Sequence, residues 1–214
     1  ISDLAPLASL SQLQSLYLNI NQLSSSDLVP LASLPQLQVL DLSSNQLSSS
    51  DLVPLASLPQ LQALGLYSNQ ISDLAPLASL SQLQVLDLSS NRISDLAPLA
   101  SLSQLQALDL RSNQISDLAP LASLSQLQSL YLSSNQISDL RPLKNLIKKG
   151  LPVSLGEDDY GQKIPLFNNP LTTPPKEIVE QGNAAILNYF KALDEQEAEP
   201  LNEAKLIIVG EPQA

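Results

Sequence analysis

The chain writes one short phrase six times. The unit reads LQxLxLxSNQ, then Ile or Leu and Ser, then DL(A/V)PLASL(S/P)Q, and its first Leu falls at Leu13, Leu37, Leu61, Leu83, Leu105 and Leu127. The steps between copies are 24, 24, 22, 22 and 22 residues. No copy can bury its leucines alone, so the copies must stack, and each stacked Leu contributes at most about 1.5–3 kcal/mol. The opening Ile1-Ser2-Asp3-Leu4-Ala5-Pro6-Leu7 recurs at Ile71, Ile93 and Ile115, so the sequence opens part-way through a repeat.

Within a unit the apolar residues alternate. Leu16 and Leu18 interleave with Ser15, Tyr17 and Asn19, which predicts a short strand with one face in the core and one in solvent. Asn21, Asn45, Asn69, Asn91, Asn113, Asn135 and, in a later degenerate copy, Asn169 stand where the chain leaves the strand and turns inward. Backbone groups at that bend need partners, and a stacked column of carboxamides can supply them between adjacent coils. Asp3, Asp27, Asp51, Asp73, Asp95, Asp117 and Asp139 each precede Leu-x-Pro-Leu, as an N-cap does before a short helical turn with Pro in its first turn. These carboxylates recur one coil apart, too widely spaced to converge on a metal ion.

The pattern resembles that of leucine-rich repeats. The resemblance implies an α/β solenoid with a curved parallel sheet on the concave face, short 3-10 or helical turns on the convex face and a C-terminal capping helix. The array is expected over residues 1–172, regular to about 147.

Composition narrows the function. Cys, His, Met and Trp are absent, which removes thiol nucleophiles, Cys/His zinc sites and any Ser-His-Asp triad. An enzyme is therefore not expected, nor is a cofactor or metal in this chain. Net charge is −11, and residues 1–140 carry ten Asp against only Arg92 and Arg111. Such a surface repels a phosphate backbone, so nucleic acid is not an expected partner. No apolar run is long enough to span a bilayer. A repeat array without Cys fits a cytoplasmic location better than an oxidising one.

Differences between copies fall on the outward strand positions. The central one reads Tyr17, Asp41, Gly65, Asp87, Asp109, Tyr131, and the next outward one reads Asn19, Ser43, Tyr67, Ser89, Arg111, Ser133. The small residues Ser15, Val39, Ala63, Val85, Ala107 and Ser129 lie beside them. Aromatics and Arg dominate protein interfaces, so Tyr17, Asp41, Tyr67, Asp87, Asp109, Arg111 and Tyr131 are the expected stripe for a protein or peptide.

After Leu140 the pattern decays. Arg141-Pro142-Leu143 stands in for the outer turn, and Leu151 and Val153 take the inward strand places. A loop is expected at 157–161, and Ile164, Leu166, Asn169 and Leu171 form a last coil. Residues 173–200 are expected to hold a capping helix, started by Thr173-Pro174-Pro175 and running to Asp194, then an acidic linker. Residues 201–214 end in the apolar run Leu206 to Val209 and Gly210-Glu211-Pro212-Gln213-Ala214, matching a buried strand and the first five positions of a phosphate loop.

The segments from Asn169 to Phe190 and from Glu203 to Ala214 are similar to the junction between repeats and GTPase in Roco proteins, where a Ras-like Roc domain follows the repeats. That resemblance implies a regulatory, protein-interaction module of a bacterial-type Roco GTPase, contacting a partner or its own GTPase domain. It places Gly210 at the first Gly of the nucleotide loop and implies GTP and Mg for the intact parent only, because the second Gly, the Lys and the Ser or Thr are not in this chain. The 22-residue units also resemble internalin-like bacterial surface arrays, which implies adhesion to a host protein as the alternative.

Overall fold

The computed structural model describes residues 3–156 and 161–198. The expected strand Leu206 to Val209, the loop residue Gly210, and residues 157–160 of the expected loop lie outside them.

Each regular unit forms one coil. The strands are β1 (Ser15–Tyr17), β2 (Val39–Asp41), β3 (Ala63–Gly65), β4 (Val85–Asp87), β5 (Ala107–Asp109) and β6 (Ser129–Tyr131), in one parallel sheet whose order follows the chain. Register is strict, so Leu16, Leu40, Leu64, Leu86, Leu108 and Leu130 face one another in a row. The leucines of the regular coils make one continuous core, closed to solvent from Leu28 onward.

Opposite the sheet the chain makes 3-10 turns, such as Ala97–Ser101 and Ala119–Ser123, with Pro at their start. Pro removes an amide that a first turn would leave unpaired, and the residue before it is nevertheless helical, as Ala97 before Pro98 and Ala119 before Pro120 are. Five of the seven repeat Asp stand one residue before the N-cap, which is a Leu: Asp3, Asp73, Asp95, Asp117 and Asp139 each accept the amide two residues on, that of the turn's first residue, at 2.8 Å. Asp27 and Asp51 do not stand at the cap position that the sequence predicts either. Their 24-residue units insert two residues, so the turn begins earlier, at helix α1 (Ser25–Leu28) and at the 3-10 segment Ser49–Ser57. Here the Asp is the third helical residue and reaches back to the amide of Ser24 at 2.7 Å or Ser48 at 2.6 Å.

The bend after each strand uses a left-handed residue just before the Asn. Ile20, Ser44, Ser68, Ser90, Ser112, Ser134 and Asn168 all have φ between 53° and 58°. Short side chains tolerate that conformation, and Ile20 is the β-branched exception.

The end of the array departs from two successive degenerate coils. After helix α2 (Lys144–Lys148), strand β7 (Val153–Ser154) does not stack on β6. Strand β8 (Ile164–Pro165) takes that place, accepting amides of Leu130 and Leu132 at Lys163 and Pro165, and β7 pairs on its far side. The backbone at Leu151 and Val153 is taken by Asn183, which accepts the amide of Val153 at 3.1 Å and donates to the carbonyl of Leu151 at 2.8 Å.

The expected single cap helix is two: α3 (Lys176–Val179) and α4 (Asn183–Ala198). Gly182, at φ 87°, breaks them by adopting a conformation that helix does not permit. Helix α4 continues through Glu195 to Ala198, where the sequence suggests an acidic linker from residue 195. It docks through Ile186 and Phe190, both fully buried. Among the described residues, no helix is long and apolar enough to cross a membrane.

Candidate partner-binding face

Strand pleating sends the leucines inward and every second residue to the concave face, so identity on that face is free to vary while the core is not. Register puts Tyr17, Asp41, Gly65, Asp87, Asp109 and Tyr131 in one row across the sheet. Tyr67, two residues beyond Gly65 on the chain, and Arg111, two beyond Asp109, stand in the next row. All seven residues of the expected stripe thus lie on the concave side, but their situations differ.

Tyr17 and Tyr67 are the open aromatics, 67 % and 45 % exposed. Asp41 and Asp87 are half-buried, each holding the amide of the residue two further on, Ser43 and Ser89, at 2.9 Å. Asp87 also accepts the Ser89 hydroxyl at 2.5 Å. These bonds stiffen the carboxylates on their own strands.

Asp109, Arg111 and Tyr131 form a connected group. The Arg111 guanidinium grips Asp109 through Nε at 2.9 Å and a terminal nitrogen at 2.5 Å, and lies 5.4 Å from the centre of the Tyr131 ring. That arrangement combines a forked ion pair with a cation over an aromatic face. The Tyr131 hydroxyl donates to the carbonyl of Gly161 at 3.0 Å and accepts its amide at 3.1 Å. This end of the stripe is tied into the fold, fastening the regular coils to the terminal one. The pairing was visible in sequence only as two outward residues two positions apart, which strand geometry places side by side.

Gly65 has a role that the sequence listing of variable positions did not assign. A Cβ there would lie 2.7 Å from Oδ1 of Asp41 and 3.2 Å from Oγ of Ser43. The Asp41 carboxylate takes that place, and a depression of about 200 Å³ opens here, lined by Val39, Leu40, Asp41, Ala63, Leu64, Gly65, Val85 and Asp87.

The Asn column is structural. Asn45, Asn69, Asn91, Asn135 and Asn169 are buried, Asn21 and Asn113 half-buried. The bonds run mainly from side chain to backbone and point one way. Asn91 accepts the amide of Ile71 at 3.0 Å and donates to Leu66 at 3.0 Å in the preceding coil, and to Leu88 at 3.0 Å in its own. Asn45, Asn69, Asn113, Asn135 and Asn169 repeat this arrangement. Asn21 donates to Leu18 and Asn19 of its own coil.

Comparison with solved structures gives the same architecture. An internalin from Listeria monocytogenes aligns with a TM-score of 0.67 and 37% identity over 80% of this chain and 52% of its own. Internalin C2 from the same organism aligns at 0.55 and 39%, over 68% of this chain and 73% of its own. A leucine-rich-repeat protein of Leptospira interrogans aligns at 0.66 and 31%, over 80% and 41%. The chain therefore spans about half of the first internalin's length. No curated protein matches it by sequence. The family model described as Leucine Rich repeats (2 copies) matches residues 11–57, 35–79, 59–101, 81–123 and 103–145. These matches together run from residue 11 to 145, more than half of the chain, and the chain belongs to the leucine-rich-repeat family.

Proposed function

We propose that the chain is a non-catalytic recognition module that takes a protein or peptide on its concave face. The observation that carries this reading is the pair of open tyrosines, Tyr17 and Tyr67, standing above small neighbours on a rigid curved sheet. Such aromatics offer large contact area at low entropic cost, and an open sheet admits an extended partner more readily than a small molecule. On this reading Asp41 and Asp87 contact the partner, while Asp109, Arg111 and Tyr131 present a prearranged border.

The larger setting proposed is a bacterial-type Roco GTPase in the cytoplasm, with the module biasing the GTPase or recruiting its partner. Support comes from the Roco-like segments at Asn169 to Phe190 and Glu203 to Ala214. Guanine nucleotide and Mg then belong to the intact parent, and calorimetry of this chain with GTP is expected to show no binding. Affinity in the micromolar range would overturn that. Two probes test recognition: displayed random peptides, and a separately expressed Roc domain. The Tyr17→Ala/Tyr67→Ala variant is expected to weaken capture about tenfold or more with little change in thermal midpoint. Unchanged capture of both probes would place recognition on another face.

The identity of 37% and 39% to the two internalins favours a second reading, a bacterial surface array that binds a host protein. Protease treatment of intact cells separates the two: digestion of the repeats supports the surface array, and protection until lysis supports the cytoplasmic module.

A further inference from the structure

In the middle of the concave face, Asp41 and Asp87 have no cationic partner among the described residues. Asp41, Gly65 and Asp87 are register neighbours on β2, β3 and β4, so the glycine lies between two Asp residues whose strands are about 10 Å apart. The Asp41 carboxylate leans over β3, since it occupies the place a Cβ at residue 65 would need. Each Asp commits Oδ1 to its own strand through the Ser43 or Ser89 amide. Among the described residues no hydrogen bond is made to Oδ2 of either. Arg111, the cation of this face, is engaged by Asp109. Any partner that covers these half-buried carboxylates without a counter-charge strands them away from water, at a cost that a paired cation removes.

We infer that the depression over Gly65 is a specificity slot that seats one basic side chain of the bound partner, held between Asp41 and Asp87 beside Tyr67. This rests on the concave-face reading above and adds to it the chemistry of the partner. A planar guanidinium matches the site: its forked donors reach carboxylates on two sides, and its body fits a space of about 200 Å³ whose lining includes Ala63, Leu64 and Val85. The other coils close this space with Asp or Tyr at the same position, so the slot occurs at one place in the row.

The test is an NMR titration of the full chain with n-propylguanidinium, with uncharged n-propylurea as control. Expected are saturable shifts at the amides of Asp41, Ser43, Gly65, Asp87 and Ser89 with the cation and none with the urea. Gly65→Val fills the slot and pushes the Asp41 carboxylate off the place its Cβ needs, on a backbone that is not left-handed, and Asp41→Asn/Asp87→Asn removes the charge. Each should weaken the shifts about fivefold or more while the thermal midpoint holds. Shifts spread equally over Asp73, Asp95 and Asp117, absent at the slot, or unchanged in Gly65→Val overturn the inference. Displayed peptides distinguish the two levels: binders that need Tyr17 and Tyr67 but ignore Gly65→Val sink the slot and keep the concave face. Binders indifferent to both tyrosines sink the face itself.

Discussion

The side-chain amide of Asn169 donates to the carbonyl of Leu132 at 3.0 Å, a separation of 37 residues that runs mostly through the decayed end of the array. Its carbonyl oxygen accepts the amide of Ile137 at 3.0 Å. The irregular terminal coil thus finishes the last regular one by the same bonds that regular coils use. Replacing Asn169 by Ala leaves these buried groups unpaired, at about 1–3 kcal/mol each. Urea unfolding of Asn169→Ala should show a loss of about 2–4 kcal/mol, and hydrogen exchange should show the amide of Ile137 losing protection. A change below about 0.5 kcal/mol would mean that water replaces the side chain.

Ile20 predicts the opposite sign. It sits at φ 56° and is 78 % exposed, so its side chain adds little packing to offset a left-handed backbone. Asn168 holds the equivalent place in the last coil at φ 55°. Ile20→Asn should stabilise the first coil by about 1 kcal/mol, read from the urea midpoint. A destabilised variant would show that Ile20 makes a packing contribution larger than its strain.

Asp27 gives the array an acid-sensitive turn. The Ser24 amide, and then the Ser24 hydroxyl, hold its carboxyl below the ordinary value of 3.8. A lowered folded value means that the bond contributes fully above the unfolded pKa and is lost as pH falls through the folded one. NMR titration should find Asp27 ionising below 3.8, and α1 should fray as pH drops through that range. In Asp27→Asn the same turn should show no such step; persistence of the step would assign it to another carboxylate.

The C-terminal cap is expected to depend on packing and little on charge. Phe190 is fully buried, and Phe190→Ala should cost about 3–5 kcal/mol and free α4 from the last coil. Lys144 pairs with the exposed Asp194 of the same helix, and Lys144→Met should change stability by less than about 1 kcal/mol. Circular dichroism melts of the two variants check the contrast.

The regular coils were legible because stacking makes every unit solve one problem. Leu64 and Leu86 can face only the core, and Asn69 and Asn91 can serve only the bend, so a single copy states the rule. The terminal segment lacks that redundancy. Nothing local in Leu151-Pro152-Val153 tells whether the strand pairs with β6 or lies outside β8, because pairing is decided by Asn183 more than 25 residues away. Gly182 could be read as a weak spot in a helix or as a break, and its positive φ decides for the break. The left-handed serines also escaped notice, since Ser is no marker of that conformation and only stacking imposes it. On the concave face the sequence identified which residues vary and where they point. It did not reveal that Arg111 is engaged by Asp109, or that Gly65 leaves room beneath the Asp41 carboxylate, since both depend on distances across the surface.

Because each Asn from Asn45 onward reaches back to the coil before it, the array has a grain. A coil is completed by its successor: Ile93 gives its amide to Asn113, and Ile115 gives its amide to Asn135. Cutting the stack therefore injures the two stumps unequally. Both stumps of a cut between β4 and β5 lose sheet bonds, among them Ser90 to Arg111 on the earlier side and Gln106 to Gln84 on the later. The earlier one also loses the carboxamide that serves its Ile93 amide and Leu88 carbonyl, while the later one keeps that side chain and its bonds within its own coil. Lengthening such a protein at the back requires a finished end to be moved along with the growth.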